Sequence, residues 1–172
     1  MRKTYPICLF LFFLTAHLFF AGCARYQLGN HSETPFKTIY IQPVENKSFA
    51  PQSQAPISRL IAREFERDGR LLIVSKDTAD VILTTNLLKI DRTFDASTED
   101  DTRFARKIVI SFIADCTLTD TRTGKSYFSN REVSVRTDTY TDSGHIKAEY
   151  QAIPVLSQRL ASDISHMVLD VW

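Results

Sequence analysis

The longest clean alternation in the chain places Ile108, Ile110, Phe112, Ala114, Cys116 and Leu118 on one face of a strand, with Ser111, Asp115, Thr117 and Thr119 on much of the other. A period of two over that length sends successive side chains to opposite sides of an extended backbone. Such a strand needs neighbours for its backbone and a second layer for its apolar face. Arg103 to Asp120 is therefore predicted as a long strand, and the rest of the chain must supply its partners and its cover.

Partners lie on both sides in sequence. Ala79 to Asp95 starts with Val81, Ile82 and Leu83 and grows polar toward Arg92 and Thr93. The acidic stretch Ala96 to Thr102, with Glu99, Asp100 and Asp101, is predicted as the hairpin loop between the two strands. Thr121-Arg122-Thr123-Gly124 makes a tight turn into Lys125 to Thr139, where Tyr127, Val133 and Val135 keep the alternation and Phe128 breaks it. Two shorter strands are expected upstream, at Lys37 to Val44 and at Arg70 to Ser75, with Glu45 to Gln54 as a polar loop.

The cover comes from two stripes at helical spacing. Ile57, Leu60, Ile61 and Phe65 form one, closed by Asp68-Gly69. Ile153, Leu156, Leu160, Ile164, Val168 and Val171 form the other, flanked by Ala161 and Met167. Pro154 is expected in its first turn or at a kink, since it removes an interior hydrogen bond. The predicted class is α+β: a two-layer sandwich with a four- to five-stranded, mostly antiparallel sheet and two helices packed on one face. The other face stays polar. No internal repeat and no second domain is visible.

The first residues read differently. Arg2 and Lys3 precede an apolar run from Ile7 to Phe20, and Phe20-Ala21-Gly22-Cys23-Ala24 follows. A charged end, an apolar core and small residues before a cysteine are the order of a lipoprotein signal, with Cys23 as the lipidated residue. Phe20 departs from the aliphatic residue usual at that position. A transmembrane anchor is the first alternative, but the run is shorter than the roughly 20 residues that span a bilayer. An ordinary secretory signal cut near Gly22 is the second. The expected organisation is a signal peptide over 1–22, a lipidated N-terminus and flexible tether over 23–36, and one domain over 37–172. Loss of Arg2 and Lys3 changes 21 basic against 20 acidic residues into 19 against 20. A near-neutral chain carries no global attraction to nucleic acid, so no nucleic-acid partner is expected. Ala24 in place of Asp after the cysteine resembles lipoproteins sorted to the outer membrane.

Chemistry is sparse. His31, His145 and His166 are scattered and form no metal spacing with Cys116 or a carboxylate. Cys116, on the apolar face of its strand, is expected to be a buried structural thiol. No glycine-rich phosphate loop and no nucleophile elbow occur. No enzyme activity, cofactor or metal is expected. Two basic groups remain: Arg103, Arg106 and Lys107 at the start of the long strand, and Arg122 and Lys125 around the turn at its other end. Such side chains can hold phosphate or merely keep a sheet rim soluble.

Taken in order, these segments resemble the LptE family. The resemblance is carried by Lys37-Thr38-Ile39-Tyr40-Ile41 with Pro43 and Glu45-Asn46-Lys47-Ser48, then by Arg63-Glu64-Phe65 through Asp68-Gly69-Arg70-Leu71. It continues through Ala79-Asp80-Val81-Ile82-Leu83, Leu118-Thr119-Asp120 with Thr123-Gly124-Lys125, and Leu160-Ala161-Ser162-Asp163-Ile164 with Trp172. It implies an outer-membrane lipoprotein, held by its acyl chains on the periplasmic side, that plugs an LptD-like β-barrel and binds lipopolysaccharide in transit. It also implies basic ligand contacts at strand and loop ends. Arg122 and Lys125 are the nearest matches, followed by Arg106 and Lys107. The alternatives are an accessory lipoprotein docking on another periplasmic enzyme or transporter, and a periplasmic small-ligand binder.

Overall fold

The computed structural model describes residues 34–95, 107–140 and 145–171. The expected lipidation site Cys23, the basic residues Arg103 and Arg106, and the acidic loop Glu99-Asp100-Asp101 lie outside the described residues. In chain order the elements are β1 (Thr38–Ile41), β2 (Glu45–Asn46), a 3-10 turn (Pro51–Ser53), α1 (Gln54–Asp68) and β3 (Leu72–Ile73). A second 3-10 turn (Lys76–Thr78), β4 (Val81–Asp95), β5 (Lys107–Asp120), β6 (Ser126–Tyr140) and α2 (His145–Leu169) follow.

Five strands lie on one path, β3-β1-β4-β5-β6, and β2 pairs with β4 off that path. The long ladders β4–β5 and β5–β6 are antiparallel, whereas β1 pairs in parallel with β3 and β4. The sheet is open and mixed, and the fold is the expected α+β class. Parallel neighbours need a crossover, and α1 supplies it between β1 and β3. Pro43, which has no N–H to give a ladder, separates β1 from β2. The chain then resumes pairing with β4 at Glu45↔Asn86, inside the segment expected to be a polar loop.

The apolar stripes meet in one core. Ile108, Ile110, Phe112, Ala114, Cys116 and Leu118 of β5 are all buried, as are Ile57, Ile61 and Phe65 of α1 and Leu156, Leu160, Ile164 and Val168 of α2. Phe36, placed by its sequence at the end of the tether, is buried in the same core and meets the Tyr127 ring edge-on at 5.2 Å. Gly69 closes α1 at φ 75°, and its N–H donates to the Phe65 carbonyl at 3.0 Å. Pro154 lies inside α2 rather than in its first turn, so one interior carbonyl lacks its usual donor.

Register shifts in β4 and β6, one in the first and two in the second, set the side-chain directions. In β4 the register passes from Leu87↔Ala114 to Lys89↔Ile113, leaving Leu88 extra. A bulge of one residue reverses the parity of everything beyond it. Arg92 therefore turns to the helix side, where it holds Glu149 of α2 with contacts of 2.6 and 2.9 Å. In β6 the register steps from Cys116↔Arg131 to Leu118↔Phe128, and Asn130 sits at φ 49°. That extra residue puts Phe128 and Val133 on the same face, which explains the break in the alternation.

Burial decides stability here. A half-exposed pair such as Arg92–Glu149 contributes about 1 kcal/mol or less, whereas one fully buried large apolar side chain contributes about 1.5–3 kcal/mol. Phe112→Ala is expected to lower the unfolding free energy by about 3–5 kcal/mol, and Arg92→Ala by about 1 kcal/mol or less. Urea denaturation of the two variants checks the order; equal losses would contradict it.

Candidate functional site

Arg122 and Lys125 sit on the turn between β5 and β6, which is held by backbone and side-chain hydrogen bonds together. The Asp120 carboxylate accepts from the Thr123 N–H at 2.7 Å, and the Lys125 N–H donates to Thr123 Oγ1 at 3.3 Å. The Gly124 N–H donates to the Asp120 carbonyl at 2.9 Å with Gly124 at φ 69°, a conformation that favours glycine. Thr121 ties the turn to the neighbouring β-strand entry: its Oγ1 donates to the Ala79 and Asp80 carbonyls at 2.6 and 2.9 Å.

Asp80 is the second centre of this end of the sheet. Its Oδ2 accepts from the N–H groups of Lys37 and Thr38 at 3.0 and 2.9 Å, and its own N–H donates to Thr38 Oγ1 at 2.9 Å. The start of β1, the start of β4 and the β5–β6 turn are thus bound together. The Lys37 N–H and the Thr38 groups hold the Asp80 carboxyl below its ordinary range, with the Arg122 charge adding to the effect. The Thr123 N–H does the same for Asp120, again helped by Arg122. Arg122 therefore stands beside two carboxylates. Sequence spacing gave no hint of Asp80, because it lies far from the turn in the chain and reaches it through sheet pairing. Lys37 is likewise brought to this end, with its backbone on Asp80.

The other expected contact does not join them. Lys107 opens β5 and Asp120 ends it, so the two ends are roughly 40 Å apart at about 3.3 Å per residue. Lys107 Nζ lies 2.9 Å from the Asp138 carboxylate. One headgroup cannot touch Lys107 and the Arg122–Lys125 turn together. Cys116 is buried, with its Sγ 3.6 Å from Thr85 Oγ1, and desolvation pushes its thiol up to about 11. It is a structural group. Glu64 is buried between the helices, accepting from Gln158 Nε2 and Arg67 Nη2 at 2.6 Å each. Among the described residues no group of three or more His, Cys, Asp or Glu side chains could hold a metal ion, and no helix is long and apolar enough to cross a membrane.

Solved structures with this arrangement are lipoproteins in several cases. A minor lipoprotein from Acinetobacter baumannii superposes with a TM-score of 0.54 at 9% identity, over 78% of this chain and 94% of its own. Lipoprotein B from Nitrosomonas europaea gives 0.51 at 16% identity, over 84% and 86%. Protein CT253 from Chlamydia trachomatis gives 0.51 at 15% identity, over 79% and 97%. These likenesses establish a shared fold. No curated protein matches the sequence. Residues 36–167 match the family described as LptE: Lipopolysaccharide-assembly, and this span is most of the chain. The chain belongs to the LptE family, a family of non-enzymatic lipopolysaccharide-assembly lipoproteins.

The carboxylates at the turn carry a pH dependence. Their folded-state pKa values are lowered, so the stability they add is complete above the unfolded carboxylate value near pH 4. It is lost as pH falls through the folded values. Asp80→Asn is expected to be less stable than the parent at pH 7 and to lose less further stability on acidification, as read by chemical denaturation at pH 7 and pH 3. A parallel decline in both proteins would contradict the role of Asp80. The Cys116 thiol is expected to label with a thiol reagent at pH 8 only after denaturation.

Proposed function

We propose that this protein is the lipoprotein plug of an LptD-like outer-membrane barrel and assists lipopolysaccharide transport and assembly at the cell surface. The family match over residues 36–167 carries the reading. In it, Cys23 bears the lipid that holds the protein to the periplasmic side of the outer membrane, and the domain enters the barrel from there. The outer face of the sheet supports this role. Thr84, Asn86, Ser111, Asp115, Thr117 and Thr119 lie opposite the buried stripe, and Asn86 Nδ2 donates to Asp115 Oδ1 at 2.6 Å across that face. A largely polar, hydrogen-bonded sheet face, on which Ile82, Val109 and Ile113 are among the apolar members, suits a hydrated barrel lumen, whose inward residues are polar as well.

Within the same reading, Arg122 and Lys125 meet the phosphates of lipid A or the inner core. Both are exposed on a turn braced by Asp120 and Thr123, so little backbone freedom is lost on binding. The carboxylates beside Arg122 limit the charge available there and leave Lys125 as the less compensated cation. Lys107, and Arg106 next to it in sequence, would serve a separate contact at the far end of β5.

Three measurements test the proposal. A tagged chain extracted from outer membranes is expected to bring down an LptD-like barrel in near-equal amount; another partner, such as a periplasmic transporter, would favour an accessory role instead. Arg122→Ala with Lys125→Ala is expected to weaken lipopolysaccharide binding about a hundredfold or more, at about 1.5–3 kcal/mol for each of two charge-assisted contacts. Unchanged binding by a folded variant would remove this turn from the ligand site. Cys23→Ser is expected to abolish lipid labelling and release the protein from outer-membrane fractions.

A further inference from the structure

Among the described residues the sheet ends on β6, a strand of 15 residues paired only with β5. From Arg131 to Tyr140 that pairing is unbroken. The Arg136 carbonyl accepts from Arg159 Nη1 of α2 at 2.5 Å, so it points away from β5. Alternation along an antiparallel ladder then turns the N–H and C=O groups of Glu132, Ser134, Arg136 and Asp138 to the free edge. Val133 and Val135 are buried toward the helices, which puts the Glu132, Ser134 and Arg136 side chains on the polar face. Among the described residues neither the Glu132 nor the Arg136 side chain has an ion-pair partner. They stand four residues apart, about 13 Å along a strand, too far to neutralise each other.

We propose that this edge pairs antiparallel with the same edge of a second copy, on a two-fold axis at Ser134. Charge chooses the register. An axis at Glu132 would oppose Glu132 to its own copy, and an axis at Arg136 would oppose two arginines. An axis at Val135 would set Glu132 against Asp138. The axis at Ser134 sets Glu132 against Arg136 twice, by symmetry, and places Val133 against Val135. Opposite charges directly across a strand pair stabilise it, and like charges do the reverse. This register also leaves every outward N–H and C=O of the central segment paired, which removes the hazard of a long bare edge.

Arg159 opposes the pairing. In the single copy its guanidinium occupies the Arg136 carbonyl, which in the pair must accept the N–H of Glu132 from the other copy. The contact is therefore a reversible one in competition with a side chain of the same molecule. A barrel lumen holding one copy leaves no place for a second, so the pair belongs to the protein before it meets its partner.

Disulfide trapping of the purified full-length protein tests the arrangement. Residues on such an axis have Cα atoms about 5.5 Å apart, within the range a disulfide spans. Ser134→Cys is expected to give a dimer on mild oxidation, while Thr84→Cys, on the same face but two strands inward, gives none. Adding Glu132→Arg or Arg136→Glu lowers trapping about tenfold, and the two together restore it. Arg159→Ala raises it. A double exchange that stays as low as the single ones would overturn the proposal. So would absence of a Ser134→Cys dimer in the Arg159→Ala background with circular dichroism unchanged. Neither measurement involves lipopolysaccharide or a barrel, so the outcome is separate from that of the plug reading.

Discussion

Removal of one face of β5 from water is the interaction on which the other features depend. Six alternate side chains from Ile108 to Leu118 are buried there, in one core with Phe65 and its neighbours on α1 and with Leu156, Leu160 and Ile164 on α2. At about 25 cal/mol per Å² of apolar surface, this term outweighs any exposed ion pair in the molecule. It requires both helices on the same side, because the stripe has only one face. It also leaves the opposite face of β4, β5 and β6 largely to polar side chains, with Ile82, Val109 and Ile113 set among them, the surface that a hydrated lumen would meet in the proposed role.

Polar groups act as positioning devices around that core. Asp80 gathers the start of β1 and, with Thr121, the turn after β5, so the Arg122–Lys125 tip is fixed relative to the sheet. Glu64 joins the two helices through Gln158, and the bidentate Arg92–Glu149 contact secures the first part of α2 to β4. Each contact adds little free energy beside the core. Their value lies in selecting one arrangement of helices and strands, since a buried carboxylate such as Glu64 is costly wherever its partners are missing.

The family is one of lipopolysaccharide assembly, and the groups this fold leaves accessible are surfaces. The one described cysteine is buried and its thiol is held protonated. What the molecule offers to partners is a polar sheet face, a basic turn shared with two carboxylates, and a long strand edge. A lipid at Cys23, in the proposed role, would keep these surfaces beside the membrane in which the barrel sits, and a short tether raises the local concentration of one partner for the other.

Periodicity made most of the elements legible. The β5 stripe, the stripes of α1 and α2 and the glycine at the end of α1 follow from spacing alone, because burial on one face imposes a local pattern on the chain. The family could be recognised for the same reason: strands, caps and turns recur in one order from Lys37 to Ile164. The bulges at Leu88 and Asn130 could not be read this way, since a bulge is a relation between two strands and leaves no period in either. With them went the facing of Arg92, the place of Phe128 and the register of β6. The surroundings of Arg122 were hidden too, because Asp80 reaches that turn only through the pairing of β4 with β5. Local side-chain chemistry decides which segments become strands and helices; the charges that meet at a site are decided by which segments lie side by side.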